Sequence, residues 1–152
     1  MHKVLFSSNH TTWETPQWLF DKLEEEFNFT LDPCCVKETA KCKKYYTPED
    51  DGLIQDWSGE TVFVNPPYGR DIVHWVRKAN QEAQKGTTIV MLLPARTSTR
   101  WFHDWIYNDA DEIRFVKGRL CFLLNGEHKG SAPFPSCVVV FNGNNHTKKQ
   151  TT

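Results

Sequence analysis

The stretch Thr61-Val62-Phe63-Val64-Asn65-Pro66-Pro67-Tyr68-Gly69, running on into Ile72–Lys85, decides the fold. Thr61 to Val64 is a short apolar run and reads as a buried strand. Two prolines stop it, because neither can donate to a sheet ladder. Ile72, Val73, Val76, Ala79 and Ala83 then recur on one side of a helix, and Gly86 closes that helix. Thr88 to Leu93 is a continuous apolar run, the mark of a strand buried on both faces, and Pro94 ends it. Strand, helix and strand in succession predict a parallel pair joined by a crossover helix.

Upstream, Thr15-Pro16 reads as a helix start, with a capping hydroxyl and then proline at the first helical position. Trp18, Leu19, Leu23 and Phe27 follow at helical spacing. Phe29 to Leu31 is a short strand that runs into Asp32-Pro33. Cys34 to Trp57 is irregular, with a short helix expected near Lys41–Tyr46. Downstream, Thr99 to Asn108 predicts a helix carrying Trp101, Phe102, Trp105 and Ile106. Three strands follow, at Glu112–Val116, Leu120–Leu124 and Cys137–Phe141. Short turns join them, so they read as an antiparallel addition. The fold class is α/β: a mostly parallel sheet with helices on its faces and antiparallel C-terminal strands. In such sheets ligands bind beyond the carboxyl ends of the strands. Asp32-Pro33 and Asn65-Pro66-Pro67-Tyr68 both sit at such ends.

The 152 residues suit a single domain, with a polar, flexible tail from about 142 to 152. Apolar residues at 39% and charged residues at 24% are a globular balance. A formal net charge of -1 argues against a nucleic-acid coat protein, but not against an enzyme with a local basic face. No window has the length of a membrane helix, and Met1–His10 lacks a signal-peptide core, so a cytoplasmic protein is expected. Cys34, Cys35 and Cys42 cluster, yet there is no Cys-x-x-Cys pair and no His at finger spacing. The five cysteines read as free thiols and no metal is expected.

Asn65-Pro66-Pro67-Tyr68 carries the chemistry. An amino nitrogen on an aromatic ring is a poor nucleophile, because its lone pair is delocalised. Two acceptors aimed at its N–H groups pull it toward tetrahedral geometry and localise that pair. The Asn65 side-chain carbonyl and the Pro66 backbone carbonyl can supply them. Pro66 and Pro67 fix the backbone and offer no competing N–H. Tyr68 can stack on a flat substrate ring. On this reading Tyr68→Ala weakens binding of the ring and leaves the fold intact.

The motif matches that of amino-group methyltransferases acting on adenine. The wider pattern resembles the phage-type DNA N-6-adenine methyltransferase (Dam-like) family. The resemblance runs through Trp13-Glu14-Thr15-Pro16, Phe29-Thr30-Leu31-Asp32-Pro33-Cys34, Ala40-Lys41-Cys42, Tyr46-Thr47-Pro48-Glu49-Asp50-Asp51-Gly52-Leu53, Trp57 and Asn65 to Arg70. It continues through Met91-Leu92-Leu93-Pro94-Ala95-Arg96, Gly118-Arg119-Leu120 and Ala132-Pro133-Phe134-Pro135-Ser136. It implies a reduced Rossmann-like methyltransferase fold, S-adenosylmethionine as methyl donor, and N-6 of a flipped-out adenine in DNA as acceptor. It implies catalytic roles for Asn65, Pro66, Pro67 and Tyr68. Thr15, Pro16, Asp32, Pro33, Cys34, Asp51, Asp56 and Asn65 become the candidates to hold the cofactor. Asp32 would take the cofactor's ammonium group, and Asp51 or Asp56 its ribose or adenine. Arg70, Arg96, Arg100 and Arg119 are candidates for DNA phosphates, and Phe134 for a wall of the base pocket.

Two features depart from the wider pattern. Asp32-Pro33-Cys34-Cys35-Val36-Lys37 has no glycine, so the backbone cannot approach a cofactor in the usual Gly-assisted way. The segment between the first strand and Thr61 is also too short for two further strand–helix pairs. The loop from Ala40 to Trp57 substitutes for them, or a partner chain such as the second copy in a homodimer does. Two other readings stay open. One is a methyltransferase acting on RNA, protein glutamine or a small-molecule amine. The other is a degenerate fold that binds nucleic acid without catalysis.

Overall fold

A computed structural model describes residues 13–145. Helix α1 spans Gln17–Phe27, followed by strand β1 (Leu31–Asp32), a 3-10 turn (Lys37–Thr39), β2 (Lys44–Tyr45) and a second 3-10 turn (Gly52–Ile54). Next come β3 (Thr61–Val64), helix α2 (Ile72–Gln84) and β4 (Thr88–Pro94). A short helix α3 (Arg100–Phe102) widens into a π turn (His103–Tyr107). The last strands are β5 (Glu112–Phe115), β6 (Cys121–Leu124), β7 (Glu127–Ser131) and β8 (Ser136–Phe141).

Six strands form one sheet in the order β2-β1-β3-β4-β8-β5, and β6 and β7 form a separate pair. Strands β2, β1, β3 and β4 are mutually parallel. β8 alone runs against them, inserted between β4 and β5 and antiparallel to both, so β5 points the same way as β4. The antiparallel expectation therefore holds for Cys137–Phe141, which is β8. Leu120–Leu124 leaves the main sheet altogether. The chain steps from β1 outward to β2, then back across β1 to β3 and β4. That reversal is a topological switch point, and it lies between the carboxyl ends of β1 and β3.

The core follows from the apolar runs. Ile89, Val90, Met91, Leu92 and Leu93 of β4 are fully buried, as are Val62 and Val64 of β3 and Val139 and Phe141 of β8. Strand β4 has a paired strand on each side and α2 packed against it, as its unbroken hydrophobicity requires.

Several boundaries shift for physical reasons. Helix α1 starts at Gln17, with Pro16 as its N-cap and no side-chain cap, so the Thr15 hydroxyl does not cap it. The strand expected over 29–31 is displaced to Leu31–Asp32, because the Phe29 amide donates to the Glu24 carboxylate at 2.7 Å. The helix expected near Lys41–Tyr46 is absent. Lys44 and Tyr45 instead pair with Leu31 and Asp32, a case of tertiary pairing overriding local preference. The helix expected over Thr99–Asn108 divides at His103. There the buried Asn80 amide donates to the Trp105 carbonyl at 2.9 Å and to Asp109 at 2.7 Å, and the turn widens. Strand β7, polar and exposed, is a second strand, after β2, that hydrophobic patterning missed.

At the head of the expected tail, the Asn142 amide donates to Asp111 at 2.7 Å and the Gly143 amide to Thr88 at 3.1 Å. The tail from 146 to 152 lies outside the described residues, as does Met1–His10.

Gly52 replaces the glycine missing from the loop after β1. A Cβ there would lie 2.0 Å from the Pro33 carbonyl oxygen and 3.1 Å from the Trp75 ring. The close backbone approach is thus supplied by the 3-10 turn that packs on the loop, not by the loop itself. Gly52→Ala is expected to destabilise the protein by about 1–3 kcal/mol through overpacking. Chemical denaturation would show this as a lower midpoint; an unchanged midpoint would show that the loop gives way freely.

Candidate active site

Both motifs stand at the switch point. Asp32 is the last residue of β1, and Asn65 directly follows β3. The strands are neighbours, with Leu31 in register with Val62.

Asn65 is half-buried, and its side-chain nitrogen donates to two groups: the Trp13 carbonyl and the Thr15 hydroxyl, the latter at 3.0 Å. A carbonyl only accepts, so the amide nitrogen, and not the oxygen, must face Trp13. This fixes the opposite end. Asn65 Oδ1 is buried and has no hydrogen-bond partner. Orphaned acceptors are costly and rare in folded proteins. This one is aimed by two restraints and left free to receive an N–H.

Pro66 and Pro67 are buried behind it. Tyr68 is 5% exposed, and its hydroxyl donates to the Leu92 carbonyl at 3.2 Å, pinning the ring to β4. Burial pushes its phenol well above the ordinary range, so it stays protonated. The ring lies edge-on to Phe134 at 5.5 Å and to Phe122 at 6.3 Å. Trp13 meets Phe134 at 5.1 Å and Phe122 at 5.5 Å, also edge-on. Four rings, of Trp13, Tyr68, Phe122 and Phe134, therefore form one cluster, tied to Asn65 through the Trp13 carbonyl. Phe134 lies just before β8, at the carboxyl edge of β4. Phe122, Trp13 and the hairpin that carries Phe122 were not foreseen. The sequence does hold a signal for that hairpin: Asn125-Gly126, both residues with positive φ, is the two-residue turn of such pairs.

Cations flank the rings. Lys129 Nζ sits 3.8 Å from the centre of Trp13, and the Arg96 guanidinium 5.8 Å from that of Phe134. Arg70, Arg96, Arg100 and Arg119 are exposed, each in a segment that leaves the carboxyl edge of the sheet. Lys129 joins them without any hint in the sequence.

Asp32 is 3% exposed. One carboxylate oxygen accepts from the Cys34 amide at 3.3 Å and the other from the Lys41 amide at 3.0 Å. Burial pushes the carboxyl from 3.8 up to about 6, against the opposing pull of the Lys41 and Cys34 amides. The Lys41 ammonium is engaged with Gln17 Oε1 at 2.7 Å. Asp32 thus ties down its own loop, yet each oxygen keeps acceptor capacity for a cation. Pro33 and Cys34 are buried in that loop.

The remaining candidates separate. Thr15 is at the site, but its hydroxyl is on Asn65. Pro16 accepts from the Leu19 and Phe20 amides through its carbonyl. Asp51 adjoins Gly52 on the Pro33 side and caps the 3-10 turn, accepting from the Leu53 amide at 3.1 Å. Asp56 lies elsewhere. It is exposed, accepts from the Ser58 amide, and lies 3.9 Å from Lys85. Lys85 follows α2 and leads into the start of β4, so Asp56 is at the amino edge, away from the site.

Cys34 and Cys35 are buried and Cys42 half-buried. Burial first, and the Asp32 charge second, push all three thiols up, Cys42 to about 12. Such thiols stay protonated at neutral pH. Among the described residues no group of three or more His, Cys, Asp or Glu could hold a metal ion, and no helix is long and apolar enough to cross a membrane.

The family model for DNA N-6-adenine-methyltransferase (Dam) matches residues 4–151. The chain belongs to the Dam family of DNA N-6-adenine-methyltransferases. Within it, the chain is 33% identical over 138 residues to the DNA N-6-adenine-methyltransferase of Haemophilus phage HP1 (strain HP1c1), covering 88% of this chain and 80% of that one. It is 30% identical over 145 residues to the DNA N-6-adenine-methyltransferase of Escherichia phage T1, covering 80% of this chain but only 60% of the phage T1 protein. A putative methyltransferase of Escherichia coli (strain K12), YfdM, is 40% identical over 63 residues, 37% of this chain and 69% of its own. The mixed sheet, parallel except for β8, is consistent with the Rossmann-like fold expected of this Dam-family chain.

Proposed function

We propose that this chain transfers a methyl group from S-adenosylmethionine to N-6 of an adenine flipped out of DNA. The observation that carries the reading is the buried, unpartnered Oδ1 of Asn65. An exocyclic amine arriving there donates an N–H to it. The bond draws the amine out of conjugation with its ring and exposes the lone pair on the opposite side. The oriented amide costs no reorganisation at the moment of transfer. Tyr68, held at its hydroxyl, presents a fixed ring beside the amine, and Phe134, Phe122 and Trp13 complete an apolar surround. A base in a duplex cannot reach such a site, so extrusion is part of the reading. Arg70, Arg96, Arg100, Arg119 and Lys129 on the same edge supply positive charge for the backbone on either side, despite the net charge of -1.

S-adenosylmethionine supplies a methyl group activated by its bond to a sulfonium. Asp32 fits its ammonium group: a buried carboxylate without a bound cation gains by receiving one. Gly52, pressed on Pro33, keeps the loop in shape, and Asp51 beside it is available to the ribose end. The Gly-poor loop therefore does not argue for a degenerate fold.

Two tests follow. The first is competition: DNA, RNA, a glutamine peptide and free adenosine offered together with labelled cofactor. Label in DNA alone supports the reading; label in RNA or peptide moves the acceptor elsewhere. The second is pH. With the carboxyl at about 6 in the free protein and lower once a cation is bound, affinity for S-adenosylmethionine is full near pH 7. It falls as pH drops below 6, by up to about tenfold per pH unit while Asp32 protonates. Calorimetric affinity that is flat from pH 7 to 5 would remove Asp32 from the cofactor site.

A further inference from the structure

We propose that the segment Trp13–Thr15 is a positioning element for the Asn65 amide, and that Thr15 is a positioning residue, not a cofactor ligand. The inference rests on the role given to Asn65 above. A primary amide is nearly symmetric in shape, and its terminal torsion is soft. Turned by 180°, Asn65 would offer N–H to the incoming amine, donor against donor, and the site would be dead. Two groups prevent that turn. The Trp13 carbonyl takes one N–H and Thr15 Oγ1 takes the other, at 3.0 Å. In the turned state Oδ1 would face the Trp13 carbonyl, acceptor against acceptor.

These partners are separated from Asn65 by 50 and 52 positions, so neither belongs to the turn that carries the motif. The segment is itself held from both sides. Downstream, Pro16 caps α1 through its backbone, which leaves the Thr15 hydroxyl unspent on the helix. Upstream, Glu14 pairs through its amide and carbonyl with Leu123 of β6, at 3.1 and 2.9 Å. Its carboxylate accepts from the Asn125 and Gly126 amides at the hairpin turn. The β6–β7 hairpin thus braces a three-residue strap, and the strap sets which end of Asn65 faces the substrate. Thr15 is 3% exposed, so water cannot take the place of its oxygen without rearrangement.

The test compares wild type with Thr15→Val, which keeps the shape and removes the acceptor, and Thr15→Ser, which keeps the acceptor. Thermal unfolding and calorimetric affinity for S-adenosylmethionine accompany methyl transfer to DNA. The expected result is a kcat for Thr15→Val lower by about ten- to a hundredfold, in the range of a lost positioning contact. Cofactor affinity stays within about twofold, and Thr15→Ser returns most of the rate. A loss carried by cofactor affinity, or an undiminished kcat in Thr15→Val, would overturn the proposal. If wild type transfers nothing to adenine, the functional reading fails by itself. The NMR signals of the Asn65 side-chain amide then still decide the positioning: shifted and exchange-protected in wild type and Thr15→Ser, and altered in Thr15→Val. Signals indifferent to Thr15→Val would overturn it, and they serve equally if Thr15→Val is too unstable to assay and Thr15→Ala replaces it.

Discussion

Asn65→Ala is expected to lower turnover by about 10²–10³-fold, as removal of one preorganised hydrogen-bond partner of a transition state does elsewhere. The variant keeps Asp32, Gly52 and the loop between them, the part proposed to hold the cofactor, so affinity for S-adenosylmethionine should change by less than about twofold. It also removes the hydrogen bonds that the Asn65 amide gives to the Trp13 carbonyl and the Thr15 hydroxyl, at about 1–3 kcal/mol of stability. Asn65→Asp separates these effects. It retains an acceptor for the amine but sets a second oxygen against the Trp13 carbonyl. Partial recovery of turnover is expected only where that oxygen is protonated. Steady-state kinetics and cofactor calorimetry on the same preparations check this. Near-normal turnover in Asn65→Ala would sink the mechanism.

Tyr68→Ala is expected to be a folding mutant before it is a binding mutant. From the motif alone, the fold is expected to stay intact. Tyr68, at 5% exposure, is instead a core ring with its hydroxyl on β4 and two aromatic neighbours edge-on. Large-to-small truncation at such a site costs about 3–5 kcal/mol. Against a total of about 5–15 kcal/mol, that is a fall in Tm of roughly 6–20 °C. Tyr68→Phe keeps the ring and loses one hydrogen bond, about 1 kcal/mol, so it should fold and bind nearly as wild type. A Tyr68→Ala protein as stable as wild type would show that the ring is held for the substrate alone.

The parts legible in the sequence are those with local causes. β3, α2 and β4 announce themselves through burial patterns, and the proline pair fixes where β3 stops. The switch point followed, since both Asp32-Pro33 and Asn65-Pro66-Pro67-Tyr68 end strands. What was not legible depends on contacts distant in the chain. β2 is two residues long and exists because β1 has an unpaired edge. Gly52 reads as a loop glycine until Pro33 is seen against it. Asp56 looks like Asp51 in sequence, and only topology sends it to the opposite edge. Thr15 looks like a helix cap, and only the fold turns its hydroxyl to Asn65. The hairpin was legible in principle through Asn125-Gly126, but its polar second strand gives no hydrophobic alternation.

The most direct measurement is incubation of unmethylated DNA with methyl-labelled S-adenosylmethionine, followed by nucleoside analysis, with Asn65→Ala in parallel. Label is expected in N-6-methyladenine, with its loss in the variant. Label on another base or on no nucleoside, or equal label with Asn65→Ala, would contradict that.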